Sequence, residues 1–261
     1  MKNLKNEIFF AFAKVNVFLK IVGTRGSYHE ISSRFILVKS LFDKLYFTPK
    51  KNSDKFELYG DFGCNLKQNT IYRAYLAMCD AGYKDKLEKI TSKYALHVEK
   101  NIPSFAGLGG GSSDAATFLH MLNKKAKLGL KDEELAKIGL RVGADVPFFI
   151  YGYKSANVSG IGEIVETFEE TPLHVEIFTP DIKCDTGKIY RLFRENYRID
   201  LKLADKMSKM KSKELLKEYN DAELNDLLNP AIKADENLKR YRKNGWFFSG
   251  SGSSFFKIAD D

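Results

Sequence analysis

The sequence predicts an α+β protein of two domains, on three observations. Runs of β-branched and aromatic residues, typical of strands, occur in both halves of its 261 residues, and apolar residues at helical spacing lie between them. Beyond Gly152 the strands become shorter and the helices more polar. With 44% hydrophobic residues the chain can bury a sizeable core. We therefore expect domains at 1–155 and 156–261.

Strands dominate the expected structure before residue 100. Their residue pattern is found at 7–22, 35–47, 55–59 and 94–99, and a helix is expected over 69–81, ending before Gly82. Lys14 and Asn16 interrupt the first strand on one face. Taken alone, two polar residues at period two indicate the solvent side of a half-exposed strand.

A glycine-rich stretch at 102–116 leads into a helix. Four glycines lie within 107–111, and the residue types that follow, Ser112, Ser113 and Asp114, favour helix N-caps. One apolar helix face is then formed by Ala115, Phe118, Leu119, Leu122 and Ala126. Free amides at such a helix start, reached through glycines, form an anion site, and phosphate is the natural ligand.

Known phosphate loops differ from this stretch. A Walker loop needs lysine and then serine or threonine after its last glycine, and no lysine follows Gly111. A dinucleotide-binding fingerprint needs a third glycine where this chain has Ser112. The alternative, a flexible turn before an ordinary capped helix, is weakened by the strand predicted at 94–99, because strand, glycine turn and helix is the context that phosphate loops need.

A second candidate site surrounds Asp145. Asp132 can cap another helix, which Gly143 is placed to end. Pro147 disfavours the helical region for Val146, so Asp145 is expected at a junction between helix and extended chain. A carboxylate there is expected to be partly buried with a partner, and a local cap or an ion pair with Arg141 is an equally good interpretation.

The second half is expected to contain short strands and polar helices. The strands lie at 156–159, 163–168 and 175–179, and two more at the end are joined by a glycine-serine turn within 247–256. Six lysines within 202–217 are most simply a solvated helix face, since no aromatic residues are interleaved with them as in a nucleic-acid stripe.

Composition limits the function classes. The formal net charge of +8 suits an anionic partner, either nucleic acid or a phosphorylated small molecule. Three cysteines without a Cys-x-x-Cys pair and four scattered histidines suggest neither a disulfide framework nor a structural zinc site. We expect a cytoplasmic protein without a membrane partner, because no apolar run reaches the length of a signal-peptide core or a membrane span.

The stretch from Pro103 to Ala116 closely resembles the ATP loop of the GHMP kinases, which phosphorylate small alcohols and acids. Other strings match the same family: Ala-Lys-x-Asn at 13–16, and Gly-Ala-Asp-Val-Pro-Phe-Phe at 143–149. Gly-Ser-Tyr-His-Glu at 26–30 resembles the string of the cytidine-using members, with Ser27 in place of glycine. The resemblance implies a two-domain architecture with a ribosomal-protein-S5-like N-terminal domain and a ferredoxin-like C-terminal domain.

The resemblance also implies the site residues. Lys14 and Asp145 would be catalytic, and Asn69 would lie near the adenine of ATP. The phosphates of ATP would be bound by the loop residues Pro103, Ser104, Phe105, Ala106, Gly107, Leu108, Gly109, Gly110, Gly111, Ser112 and Ser113. Phe105 replaces a residue that is commonly glycine in the family. Substrate would be bound by Asn16, Tyr28, His29, Thr186 and Tyr190, where the family often has phenylalanine at the last position.

Without the family match, the last set has simpler interpretations. Tyr28 and His29 would form a polar turn, although a flat ring and a ring nitrogen suit a pyrimidine base. Thr186 and Tyr190 would be an N-cap and a packing aromatic on an ordinary helix. The serine-glycine turn near 249–252 approaches the phosphates in the family, and a plain hairpin turn would look similar.

The implied function is ATP- and Mg²⁺-dependent phosphorylation of a cytidine diphosphate-linked sugar alcohol in isoprenoid precursor biosynthesis. One alternative is a sister kinase for homoserine or mevalonate, which would not need Tyr28, His29 and Tyr190. The other is a basic RNA-binding protein, which phosphate-dependent ATP turnover with no RNA retention at physiological salt would exclude. We favour the kinase with no nucleic-acid partner.

Overall fold

The structure, a computed structural model, describes residues 7–51, 53 and 55–259, which form two compact units. Within the described residues, the first unit comprises those up to Ala13, with Lys39–Ile102 and Gly110–Gly152. The second comprises Lys14–Val38, Pro103–Gly109 and the chain from Tyr153 onward. The domain boundary expected between residues 155 and 156 lies close to the junction of Gly152 and Tyr153, where the chain enters the second unit for the last time. That the two units are separate domains stays a prediction.

Strands and helices are both abundant in the described chain, which confirms the α+β class. The strands are β1 (Phe9–Arg25), β2 (Tyr28–Pro49), β3 (Leu58–Tyr59), β4 (Tyr94–Glu99), β5 (Ser155–Gly160), β6 (Ile164–Thr167), β7 (Val175–Phe178), β8 (Phe247–Phe248) and β9 (Phe255–Ile258). The helices are α1 (Thr70–Met78), α2 (Lys84–Thr91), α3 (Gly110–Lys125), α4 (Asp132–Leu140), α5 (Val146–Tyr151), α6 (Thr186–Asn196), α7 (Leu201–Lys209), α8 (Ser212–Glu218), α9 (Asp221–Leu224) and α10 (Leu228–Ala234).

The first unit packs helices on a sheet in which β4 lies between β3 and β2. β2 and β4 are antiparallel, with Lys44 opposite Glu99, and β3 runs parallel to β4. Leu45, Leu96 and Val98 belong to a core that also contains residues of α1, α3 and α4. α3 packs against α1, α4 and α5, so its position is fixed by apolar contacts along most of its length.

The second unit has two groups of paired strands. The first half of β2 pairs antiparallel with β5, with Ile31 opposite Gly160, and β5 pairs with β6. A separate three-stranded sheet has the order β7-β9-β8. The pairing of β8 with β9 confirms the two strands and turn expected near the end of the sequence.

Three local expectations needed correction. The first helix ends at Met78 rather than near Ala81, and a π-type turn containing Gly82 (φ +96°) leads into α2. The N-cap of α4 is Lys131 rather than Asp132, with the Glu134 carboxylate accepting from the Lys131 amide at 2.9 Å. The segment after Asp145 is the short helix α5, not extended chain. Pro147 is its second residue, where the missing N–H costs no intrahelical hydrogen bond.

A buried arginine holds together part of the second unit. The Arg34 guanidinium, fully buried on β2, lies 3.6 Å from a Glu170 carboxylate oxygen and donates to the Ser208 carbonyl at 2.8 Å. Glu170 in turn accepts from the Ser212 amide at 2.7 Å. Burial lowers the pKa of Arg34 to about 10, and Glu170 opposes that shift. The network therefore ties the end of α7 and the start of α8 to β2.

We expect Glu170→Ala to lower the free energy of unfolding by about 3–5 kcal/mol, because it leaves the Arg34 charge buried without its counter-ion. Chemical denaturation measures this, and the exposed neighbour Glu169→Ala serves as a control expected to stay within about 0.5 kcal/mol. Equal, small effects of both substitutions would contradict the role given to Glu170.

The segment Pro103–Gly109 makes close backbone contacts with the turn that joins β8 and β9, also in the second unit. A methyl group on Gly107 (φ +74°) would stand 2.1 Å from the Ser249 carbonyl oxygen. The Ser254 amide donates to the Ala106 carbonyl at 3.1 Å, and the Lys14 amide to the Leu108 carbonyl at 2.9 Å. Only glycine allows both this backbone conformation and this approach at position 107.

Gly107→Ala should therefore destabilise the protein more than Gly26→Ala, which has a similar φ (+61°) but open space around it. We expect a loss of about 1–2 kcal/mol for Gly26→Ala from the left-handed backbone alone, and a clearly larger loss for Gly107→Ala. Urea unfolding of the two variants measures the difference. Indistinguishable midpoints would show that the close approach to Ser249 does not constrain position 107.

Candidate active site

The glycine-rich stretch leads into α3, as the sequence predicts. α3 begins at Gly110, so its first turn comprises Gly110 to Ser113, whose amides lack intrahelical acceptors. Gly111 is exposed, and its carbonyl accepts from the Thr70 hydroxyl at 2.6 Å. This end of the helix carries the positive end of its dipole and is therefore suited to an anion.

Phe105 lies in this stretch with a left-handed backbone. Its φ is +56°, the region that glycine favours, and its side chain is 58% exposed. A bulky residue there is strained. The backbone shape thus agrees with the glycine that the GHMP kinases commonly have at this position.

Asp145 stands beside the N-terminal turn of α3, within the first unit. It is the N-cap residue of α5, and α5 packs against α3. A methyl group on Gly143, two residues earlier, would lie 3.6 Å from the Ser112 hydroxyl oxygen. The half-buried carboxylate is therefore carried by a turn that touches the start of α3.

Asn69 lies at the start of α1 in the same unit. It is buried, and its side-chain oxygen accepts from the Ile71 amide at 2.8 Å, which makes it the N-cap of α1. The adjacent Thr70 is the residue that binds the Gly111 carbonyl. The N-terminal ends of α1 and α3 are therefore neighbours.

Asp114 does not cap α3, contrary to the expectation from its residue type. It is the fifth residue of the helix, 2% exposed, and its Oδ2 accepts from the Lys100 ammonium at 2.6 Å. Lys100 also pairs with Asp43 on β2. Sequence reasoning did not identify Asp43 or Lys100, and the signal available was a lone carboxylate within the apolar run of β2.

Lys14 and Asn16 are buried in the second unit, so the solvent-facing interpretation of this pair is wrong. They are 3% and 1% exposed, because residues 13–21 of β1 are buried on both faces. The Lys14 ammonium donates to the Asn16 side-chain oxygen at 2.6 Å and lies 4.5 Å from the Phe35 ring centroid. The Asn16 side-chain nitrogen donates to the Ser33 hydroxyl at 2.9 Å. These contacts fix both side chains.

His29 and Tyr190 lie together in the second unit. Their ring centroids are 5.0 Å apart, and Phe193 lies 6.4 Å from the imidazole. The Nε2 of His29 is buried and has no hydrogen-bond partner among the described residues. Burial, and secondarily the positive charge of Arg194, lowers the pKa of His29. A neutral imidazole with a free nitrogen beside an aromatic ring suits a heteroaromatic base.

The other two predicted substrate contacts are exposed. Tyr28 is 63% exposed. Thr186 is the first residue of α6, and its hydroxyl lies 2.8 Å from the Ser251 hydroxyl. Asp185, rather than Thr186, caps α6, since its carboxylate accepts from the Lys188 amide at 2.9 Å. Both side chains are accessible to a ligand.

The described residues contain neither a helix suited to cross a membrane nor a cluster of metal-ligating side chains. None of their helices combines the length and the apolar character needed to cross a membrane. No set of three or more histidine, cysteine, aspartate or glutamate side chains in this part of the chain is placed to hold a metal ion.

Comparison with known proteins identifies relatives along nearly the whole chain. Residues 69–153 match the family described as GHMP kinases N terminal domain. The 4-diphosphocytidyl-2-C-methyl-D-erythritol kinase of Sulfurimonas denitrificans is 54% identical, with 98% of each chain covered. The enzyme of that name from Sulfurovum sp. is 47% identical over 96% of this chain and 98% of its own.

Solved structures agree with these relatives. A crystal structure of 4-(cytidine 5'-diphospho)-2C-methyl-D-erythritol kinase matches with a TM-score of 0.76 at 30% identity, covering 97% of this chain and 90% of that one. Mevalonate kinase of Methanococcus jannaschii, 14% identical with a TM-score of 0.59 over 99% of this chain and 92% of that one, shares the fold. By its identity to these relatives over almost its full length, the chain belongs to the 4-diphosphocytidyl-2-C-methyl-D-erythritol kinase family of the GHMP kinases.

Proposed function

We propose that the protein transfers the γ-phosphoryl group of ATP to the C2 hydroxyl of 4-diphosphocytidyl-2-C-methyl-D-erythritol, a step in isoprenoid precursor biosynthesis. One observation carries the proposal: the N-terminal turn of α3, in which Gly111 is exposed, packs at Ser112 against Gly143, two residues before Asp145. An anion-binding helix end beside one carboxylate suits phosphoryl transfer, which needs alignment and charge stabilisation more than covalent chemistry. The names of the relatives support the substrate. We place the reaction in the cytoplasm, where ATP is available.

The stretch 103–113 supplies the phosphate contacts in this proposal. Backbone amides of Gly110 and Gly111 at the start of α3 donate to phosphate oxygens, and the helix dipole adds favourable charge. Backbone donors themselves carry no proton that titrates near neutral pH. Asn69, at the neighbouring end of α1, is proposed to lie near the adenine.

The residues present fit Mg²⁺. This ion takes oxygen ligands, keeps several waters and is usually held by one or two protein groups together with substrate phosphates, so a cluster of three acidic side chains is not required. The hydroxyl of Ser112 and the carboxylate of Asp145 are oxygen donors on two turns that touch. When bound, Mg²⁺ would neutralise charge on the phosphates.

Asp145 is proposed to orient the accepting hydroxyl. The bond between the γ-phosphorus and the oxygen that bridges it to the β-phosphate breaks, a bond from the C2 oxygen to phosphorus forms, and the hydroxyl proton is released to the carboxylate or to water. A loose transition state needs little prior deprotonation, so positioning is the larger part of the contribution of Asp145.

Lys14 is proposed to supply positive charge to the transferring group, the role that the family resemblance implies. Its ammonium is buried and is held by Asn16, so it is ordered before substrate arrives. Preorganised charge in a site shielded from water stabilises a transition state more than mobile charge does.

The pyrimidine is proposed to bind at His29 and Tyr190, with Tyr28, Asn16 and Thr186 as further substrate contacts. The buried Nε2 of His29 offers a hydrogen bond to the base, and Tyr190 offers a ring face. Homoserine and mevalonate carry no base, so this pair of rings favours the cytidine-bearing substrate over those of sister kinases.

The deciding experiment incubates the purified chain with ATP and Mg²⁺ and with one of 4-diphosphocytidyl-2-C-methyl-D-erythritol, homoserine, mevalonate or CDP. We expect ADP formation only with the first, with phosphorus NMR placing the new phosphate on C2. Turnover with homoserine or mevalonate would instead indicate a sister kinase. Absence of turnover together with retention on RNA at physiological salt would indicate the nucleic-acid alternative.

Asp145→Asn is expected to lower kcat by about 10²- to 10⁴-fold, because the amide can neither accept the hydroxyl proton nor orient the hydroxyl as a carboxylate does. Steady-state kinetics measures the effect, and the exposed Asp61→Asn is the matched control, expected to keep normal turnover. Near-normal turnover of a folded Asp145→Asn variant would remove Asp145 from the reacting centre.

A further inference from the structure

We propose that Asp43, Lys100 and Asp114 form a buried positioning cluster that holds the N-terminal turn of α3 in the geometry that the phosphates of ATP require. The proposal rests on the function proposed above and adds three residues to it. None of the three is assigned a contact with ATP, so they are positioning residues rather than catalytic ones.

The three side chains meet at one ammonium group. Lys100 follows β4, and its Nζ donates to Asp43 Oδ2 on β2 and, at 2.6 Å, to Asp114 Oδ2 on α3. The side chains of the lysine and the two aspartates are 12%, 0% and 2% exposed. The cluster therefore joins two strands and the loop helix within the first unit, shielded from water.

Asp43 also fixes the backbone that leads to the glycine-rich stretch. Its Oδ1 accepts from the Asn101 amide at 2.5 Å and from the Ile102 amide at 2.8 Å. Both oxygens of this carboxylate therefore accept hydrogen bonds: Oδ2 from the Lys100 ammonium and Oδ1 from the two amides. Charge-assisted bonds of this kind are short and directional, so the path of residues 100–102 is closely determined.

The cluster lies at both ends of the stretch that binds phosphate in our proposal. A methyl group on Gly110 would stand 2.8 Å from Ile102 Cγ2 and 3.6 Å from Lys100 Nζ. Ile102 and Gly110 flank the segment 103–109, so the residue before it and the first residue of α3 are packed against each other. Movement of Lys100 would therefore disturb the packing around Gly110, where α3 begins.

An apolar cluster would stabilise this core at lower cost, which argues for a role beyond stability. Desolvating charges is expensive, and replacement of buried ion pairs by packed apolar groups is often neutral or stabilising. Here one ammonium serves two carboxylates, and the Oδ1 of Asp114 has no hydrogen-bond partner among the described residues. The charged carboxylate of Asp43 orients the backbone amides of residues 101 and 102 through hydrogen bonds. Apolar side chains could not orient them in this way.

The charge of the cluster changes near neutral pH. Burial raises the pKa of Asp114 to about 7, with Lys100 lowering it and Asp43 raising it. Those two are the charged groups that act on it, and α1, α4 and α5, which also pack on α3, add none among the described residues. Above this pH the carboxylate adds a negative charge one turn from the helix start, which opposes an anionic ligand.

The test measures KM for each substrate in Lys100→Met, Asp114→Asn and the surface control Lys44→Met, which removes a surface ion pair in the same unit. For Lys100→Met we expect KM for ATP to rise by about 10- to 100-fold, since small misplacements of binding groups have effects of this size. KM for the alcohol substrate should change less than about twofold if only the phosphate contacts move. The control should keep both values.

Asp114→Asn keeps an oxygen acceptor for Lys100 and removes the titration, so it tests the cluster even where Lys100→Met fails to fold. In the wild type KM for ATP should rise as pH increases from 6 to 8 through the region near 7. The variant should show a smaller rise, and titration of ATP itself cancels in the comparison. The proposal would be overturned if KM for ATP depended on pH in the same way in the wild type and in Asp114→Asn. It would also be overturned if Lys100→Met changed KM for ATP and KM for the alcohol equally and had a lower Tm.

Calorimetric binding of a non-hydrolysable ATP analogue separates this proposal from the function on which it rests. A wild type that binds no analogue overturns both. If the wild type binds, and folded Lys100→Met and Asp114→Asn bind with the same Kd at every pH, the cluster proposal alone fails. Weaker binding by Lys100→Met with an unchanged Kd for Lys44→Met supports it.

Discussion

One largely buried ammonium group, that of Lys100, joins the strand, the helix and the chain that lie next to the candidate phosphate site. It lies between the carboxylates of Asp43 and Asp114, which come from a strand and a helix. In a water-poor environment, separating these charges would cost far more than breaking an exposed pair. The same cluster also constrains the backbone, because the Asp43 carboxylate accepts hydrogen bonds from the amides of Asn101 and Ile102. A helix end that binds anions through its amides needs this kind of fixed approach.

Much of the fold follows from local sequence signals, and the exceptions have physical reasons. The strands of the first half, the helix after the glycines and the hairpin near the end agree with their apolar periodicity. The segment after Asp145 differs, because proline excludes helix only where an N–H is needed, and the second residue of α5 needs none. Lys14 and Asn16 show the limit of period-two patterns. Such a pattern separates two strand faces, and it cannot tell whether the polar face meets water or other parts of the protein.

The candidate site was predictable where its residues are close in sequence. The stretch 103–113 is continuous, so its suitability for an anion could be inferred from residue types and spacing. The roles expected of Lys14 and Asp145 came from the family resemblance of the short strings around them, because their residue types alone suited a solvent-facing strand and a local cap or ion pair equally well. Positions 43, 100 and 114 are separated by 57 and 14 residues, and only the pairing of β2 with β4 and the packing of α3 bring them together. No spacing rule connects such residues. Asp114 in particular looked like a helix cap, because N-cap preference depends on side-chain type while the position of the first helical residue depends on the backbone.

The proposed site would recognise an anionic nucleotide and a neutral base by two different means. At the start of α3 the binding groups are amides and a helix dipole, which attract phosphate without a titrating side chain. At His29 the proposed ligand is a pyrimidine, which carries no charge. A charged imidazolium would therefore gain little electrostatic binding energy from it. Burial and the charge of Arg194 both lower the pKa of His29 and so disfavour the charged ring, and its Nε2 has no hydrogen-bond partner among the described residues. The net charge of +8 can then act over longer distances, where it raises the encounter rate with anionic substrates without selecting among them. Selection among anionic substrates therefore falls to short-range groups, such as those proposed at His29 and Tyr190.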